Sequence, residues 1–280
     1  MQTCRIWCLA VALCVVIPAL THAQWPTHPD RNVPRTPDGK VNLQAPTPRT
    51  ADGKPDFTGV WQNAWFVDGR VQPLPESPAG EPPAATFADV FANFKGDLPL
   101  QPWAAKLKAD RRKQNSKENP DAHCLPMGLI QFHMHPQPRK VIQTPDVIAI
   151  LYEGNGGVRQ ILTDGRSLPT NDPQPWWYGY SIGRWDGDTL VVETTGFRDG
   201  GWLDIYGSPL TDAAKMTERW RRLNYGTIQI DITIDDPKAY TRPFSIRIHH
   251  RLMTDGKFDA ELIEFICQEN NQAPRLMVGK

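Results

Sequence analysis

The sequence predicts an all-β protein: a closed or nearly closed antiparallel up-and-down barrel, lipocalin-like, with a small helical insertion and a Pro-rich N-terminal arm. Three observations carry this expectation. From Lys140 onward, short β-prone runs alternate with turn signals such as Pro145-Asp146, Asp186-Gly187 and Asn224-Tyr225-Gly226. In one run, Ile228, Ile230, Ile232 and Ile234 share one face while Thr227, Gln229, Asp231 and Thr233 share the other, which is the period of a half-buried strand. So many hairpin-linked strands avoid free edges by closing on themselves, and barrels of this length usually enclose a cavity.

Taken in order, residues 1–23 read as a secretory signal peptide. Arg5 gives a basic start, residues 6–20 are apolar, and Thr21 and Ala23 precede the expected cut before Gln24. The apolar run is about 15 residues, short of the roughly 20 that span a bilayer. Leu13 before Cys14 is too large for a lipoprotein signal. The expectation is a periplasmic or secreted protein with no membrane insertion after cleavage. Residues 24–56 form the Pro-rich extended arm, in which Arg35-Thr36-Pro37-Asp38-Gly39-Lys40 returns as Arg49-Thr50-Ala51-Asp52-Gly53-Lys54. Two copies do not build a solenoid, so the arm is read as a strap on the domain surface.

The barrel domain covers 57–280. Its first strand is 57–61, and helical pieces at 87–94 and 103–115 make an insertion at about 84–118. Pro102 suits a first helical turn, and the face carrying Lys106, Lys108, Arg111, Arg112 and Lys113 reads as solvated. Strands follow at 140–144, 147–153, 158–163, 181–185, 189–195, 217–223, 227–234, 244–253 and 261–267. The run 147–151 is apolar on both faces and should be covered by a helix or by the arm.

Cleavage would remove Cys4, Cys8 and Cys14 and leave Cys124 and Cys267, most simply a disulfide in an oxidising compartment. Closing so long a loop is worth on the order of 4–5 kcal/mol by chain entropy. Buried free thiols come second, and a reactive cysteine a distant third. Basic and acidic residues balance, with 31 of each, which offers nothing to nucleic acid.

Several segments occur together: Val141-Ile142-Gln143-Thr144-Pro145, Leu151-Tyr152-Glu153, Thr163-Asp164-Gly165-Arg166, Gly183-Arg184-Trp185-Asp186-Gly187-Asp188-Thr189-Leu190-Val191-Val192, Thr217-Glu218-Arg219 and Asp235-Asp236-Pro237-Lys238-Ala239-Tyr240-Thr241. On these the chain is similar to a large group of secreted, β-rich bacterial proteins, numerous in soil bacteria. The resemblance implies export and a β-rich domain and carries no activity over. Separately, Gly59-Val60-Trp61 resembles the G-x-W that opens lipocalin-type barrels.

Three sets of residues are candidates for chemistry. His133 and His135, with Pro136 and Pro138 making a loop, are weak metal candidates, with His123, His249 or His250 as further donors; no cofactor is expected. Polar residues inside strand runs are the second set: Glu153, Arg159, Arg184, Glu193, Glu218, Arg222, His250 and Glu264. His250 shares a face with Phe244, Ile246, Ile248 and Leu252, so His250, Glu193, Glu153 and Arg184 are the catalytic candidates for acid–base chemistry. A salt-bridge network that fixes register is the alternative for most of these. Trp176, Trp177, Tyr178 and Tyr180 are the ligand-binding candidates, since rings at a barrel mouth stack on flat ligands.

The function expected first is binding of a small molecule in an apolar, aromatic-lined cavity. The alternatives are an enzyme using that cavity (lyase, isomerase or hydrolase) and a structural component of an envelope complex.

Overall fold

A computed structural model describes residues 33–67, 70–73, 76–171, 174–254, 261–269 and 272. The expected signal peptide, and with it Cys4, Cys8 and Cys14, lies outside the described residues. Nine strands close a barrel: β1 (Gly59–Asn63), β2 (Arg139–Gln143), β3 (Val147–Tyr152), β4 (Val158–Leu162), β5 (Tyr180–Asp186), β6 (Thr189–Thr195), β7 (Lys215–Asn224), β8 (Thr227–Asp235) and β9 (Phe244–Leu252). Each strand pairs with its neighbours in sequence, and β9 pairs with β1 through Trp61↔Leu252 and Asn63↔His250 to close the ring.

Directions alternate except at one junction, where β4 and β5 run parallel through Ile161↔Ser181 and Leu162↔Ile182. An odd number of strands cannot alternate all the way round a closed ring, so nine strands require such a junction. A parallel pair needs a crossover rather than a hairpin, and the chain between β4 and β5 makes it. That crossover carries Trp176, Trp177 and Tyr178.

The expected alternation holds. Met216, Glu218, Trp220 and Arg222 of β7 point inward, as do Ile228, Ile230, Ile232 and Ile234 of β8. Helix α1 (Pro102–Lys113) has Pro102 in its first turn, as anticipated. Its basic face is only partly solvated. Lys108 is buried, 2.6 Å from Asp89 and 3.8 Å from the buried Asp204, while Arg111 lies 4.2 Å over the Trp202 ring. Residues 87–94 form turns instead of a helix, held by the Asp204 carboxylate accepting from the Val90 N–H at 3.0 Å. The expected strand at 261–267 is absent; that segment runs without strand pairing into a turn at 267–269.

A second helix, α2 (Leu129–Met134), forms where the two prolines suggested a loop, and all six of its residues are buried. Its approach depends on Gly128, where a Cβ would sit 1.7 Å from the Trp202 carbonyl oxygen. Residues 24–32 of the expected arm lie outside the described residues, and its described part, 33–56, straps one end of the barrel. Tyr225 N–H and Gly226 N–H donate to the carbonyls of Ala45 and Leu43, and Thr47 donates to the Arg222 carbonyl. The two copies of the repeat form the same turn: Arg35 and Arg49 donate at 2.8 Å to the carbonyls of Gly39 and Gly53, both glycines at φ near +80°. Among the described residues it is the second copy that grips the barrel, with Arg49 holding both carboxylate oxygens of Asp188 at 2.9 and 2.7 Å. Cys124 and Cys267 are joined as a disulfide with Cα atoms 5.5 Å apart, across 143 residues of sequence.

Candidate functional site

The inside of the barrel is occupied by side chains. Phe57, Trp61, Phe132 and Trp220 are fully buried, and α2 enters among them with His133 pointing at β7. Glu218, inward on β7 by strand alternation, receives two contacts from Arg159 of β4: Nη1 donates at 3.1 Å and Nη2 makes a still closer bond. Arg159 Nη2 also donates to Ser181 Oγ and Thr194 Oγ1, both at 3.1 Å. His133 Nε2 lies 2.9 Å from Glu218 Oε1.

Burial pushes the Glu218 carboxyl up, but the Arg159 charge and the hydrogen bonds outweigh it, bringing the pKa down to about 2. Burial lowers His133 despite Glu218, so the ring is neutral, donates through Nε2–H and keeps Nδ1 as a buried lone pair without a partner among the described residues.

His250 does face the interior, and its Nε2 lies 2.7 Å from both the His133 carbonyl oxygen and Arg139 Nη1. A single hydrogen lets one of these be its bond: a protonated Nε2 donates to the carbonyl, a bare one accepts from the arginine. Burial and the Arg139 charge both hold His250 well below the usual histidine range. Arg139 also donates to the carbonyls of His133, His135 and Gln137 at 2.7, 2.6 and 2.9 Å. It thereby gathers the backbone acceptors at the end of α2, a favourable place for a cation.

The other catalytic candidates lie elsewhere. Glu193 and Arg184 pair with each other on the outer surface, with the barrel wall between them and His250. Glu153, beyond the end of β3, accepts from the Ile263 N–H at 3.1 Å, and burial raises its pKa. The aromatic set divides. Tyr178 packs edge-on against Phe132 with centroids 5.3 Å apart, and Trp177 lies under Arg198. Trp176 and Tyr180, 5.6 Å apart, line a shallow depression of about 200 Å³ with Gln160, Leu162, Arg166 and Ser181. His135 packs edge-on against Phe87, its Nδ1 accepts from the Gln137 N–H, and burial brings its pKa down to about 4. Among the described residues, no group of three His, Cys, Asp or Glu side chains is arranged to hold a metal ion. Nor does any described helix have the length and apolarity to cross a membrane.

A larger groove lies on the outer wall. Beyond Asn63 the chain leaves the edge of β9, with the Ala64 N–H still donating to the His249 carbonyl at 2.9 Å. Residues 83–85 then take up that edge, Arg247 N–H donating to the Pro83 carbonyl and Ala85 N–H to the Arg247 carbonyl. The fork leaves a cavity of about 350 Å³ lined by Trp65, Pro73, Ala84, Ala85, Leu223 and His249, among others. Its polar groups are mostly committed. Asn63 bonds the His133 carbonyl and the Trp65 N–H, and Asn224 bonds Gln44 and the Gly226 N–H. Arg247 is neutralised by Asp231, at 2.6 and 2.8 Å, and by Glu81.

Sequence reasoning missed this groove because Trp65, Ala84 and Ala85 fit no periodic pattern and meet only through the fork. No family model, curated protein or solved structure matches the chain.

Proposed function

We propose that the protein is exported and binds a small molecule in the outer-wall groove, not inside the barrel. The observation that carries this is the groove itself. Its volume of about 350 Å³ falls in the range of small-molecule sites, about 300–1,000 Å³. Its walls are largely apolar, and its charged groups are already paired. Buried side chains, Phe57, Trp61, Phe132 and Trp220 among them, occupy the barrel interior, and the groove on the outer wall offers room. Export rests on the N-terminal segment and on a disulfide suited to an oxidising compartment.

The test is native mass spectrometry of protein taken from its own compartment, comparing the natural chain with Thr227→Trp. Thr227 lines the groove from the outer face of β8, so the indole would fill the space. A retained small molecule that disappears in the variant, with the melting temperature kept, is expected. Retention undiminished in Thr227→Trp would place the ligand elsewhere.

A second reading, acid–base catalysis, is favoured by one observation: Glu218 orients the neutral His133 and leaves Nδ1 bare. It requires that small reagents reach the interior. Diethylpyrocarbonate followed by peptide mapping tests this: modification of His133 in the folded protein supports catalysis, and complete protection rules it out.

A further inference from the structure

We infer that the groove selects a neutral, ring-bearing ligand carrying a hydroxyl group, a phenol or alcohol that donates its hydrogen bond to His249 Nδ1. This rests on the groove being the binding site and adds the chemical class of its occupant. A chain of hydrogen bonds on the outer face of β8 and β9 fixes the state of His249. Gln229 Nε2 donates to both carboxylate oxygens of Asp231 at 3.3 Å, so the amide oxygen is the end turned towards His249. His249 Nε2 lies 3.3 Å from that oxygen and donates to it. Asp231 itself is held by Arg247 and, at 3.1 Å, by Arg221.

An imidazole whose Nε2 carries the hydrogen has a bare Nδ1, which accepts and cannot donate. Burial and the Arg247 charge, with Arg221, outweigh Asp231 and keep the ring neutral. His249 lines the groove, and among the described residues no group bonds its Nδ1, which is left to accept from a ligand there.

Complementarity then sets the ligand. A carboxylate would meet a bare lone pair beside Asp231 and Glu81, and Arg247, the one arginine among the described residues lining the groove, already has its charge balanced by those two carboxylates. An ammonium ion would have to leave water for walls made of Trp65, Leu223, Pro73, Ala84 and Ala85. A hydroxyl on an apolar ring answers both conditions: it donates once, and the ring lies against the indole and aliphatic walls.

Calorimetric titration of the full chain at pH 7.5 with 2-naphthol, 2-methoxynaphthalene and 2-naphthoate tests the inference. The methyl ether keeps the ring and removes the donor. One hydrogen bond corresponds to about 3- to 10-fold in affinity, so 2-naphthol is expected to bind tighter than the ether by that factor, with 2-naphthoate weakest. His249→Phe should bring 2-naphthol down to the level of the ether, leaving ether binding intact. Imidazole nitrogen NMR should show His249 with Nε2 protonated and Nδ1 bare, and Gln229→Leu should mix the tautomers.

Equal binding of naphthol and ether, both abolished by Thr227→Trp, would overturn the hydroxyl inference and leave the groove standing as the site. A protonated Nδ1, or naphthoate binding most tightly, would overturn it as well. No binding of any probe, or binding indifferent to Thr227→Trp, would remove the groove reading and this inference together.

Discussion

Arg159, Glu218 and His133 show how much depends on individual side chains inside the barrel. Breaking a buried ion pair leaves an uncompensated charge, costing about 3–5 kcal/mol. Arg159→Met is therefore expected to destabilise the protein by that amount in urea denaturation, and the double variant Arg159→Met/Glu218→Leu should regain most of the loss. A double variant no better than the single would mean that Ser181 and Thr194 depend on the ions for their own arrangement.

The same residues set the response to pH. Glu218 has its folded pKa lowered to about 2 from the ordinary 4.5, so its stabilisation is full above 4.5 and is lost as pH falls towards 2. His133 and His250 are also held below the ordinary 6.5. Below about pH 6.5 the unfolded chain takes up protons that the folded one refuses. Stability should therefore begin to fall near pH 6.5 and fall further below about 4.5. Urea midpoints constant from pH 8 to pH 4 would contradict this. The inward face of His250 was legible in the sequence because its strand alternates, whereas its partners were not, since α2 and the start of β2 deliver them from more than a hundred residues away.

At the scale of elements, close approach and cross-links outweigh surface pairing. Gly128→Ala would drive a Cβ into the Trp202 carbonyl, a backbone atom that cannot step aside locally. A loss of about 3 kcal/mol or more is expected, in the manner of an overpacked core. Arg49→Ala removes an exposed, solvent-screened pair with Asp188 and should leave the melting temperature nearly unchanged; parallel thermal denaturation of the two variants separates these outcomes. Replacing Cys124 and Cys267 by serine should cost about 2–5 kcal/mol, read as a drop in melting temperature that matches the reduced natural chain. The duplicated turn of the arm was visible as a repeated string, and both copies fold alike because Arg, Thr, Asp and Gly act within six residues. That one copy docks and the other does not follows from where Asp188 happens to lie.

For the molecule as a whole, closure is completed by β9 pairing with β1, before the C-terminal segment begins. Ending the chain after Thr254 removes the disulfide and one of the two described partners of the Glu153 carboxylate yet leaves every barrel strand. Such a protein is expected to keep its far-ultraviolet β spectrum with a lowered melting temperature; loss of the β signal would show that the C-terminal segment is needed for closure itself.

What the sequence determined by itself is the set of strands and their faces. Period-two alternation and turn chemistry are local, and nearly all of the strands expected from them formed within a residue or two. Charged residues in those strands were ambiguous, because alternation assigns an ion its face without naming its partner: Glu218 meets Arg159 inside, and Glu193 meets Arg184 outside. Tertiary structure alone decided that helix α2 fills the barrel, that one junction runs parallel, and that an open groove lies at the fork between β1 and residues 83–85. Each depends on contacts between distant segments, where packing volume and ring closure choose among arrangements that local propensity leaves equal.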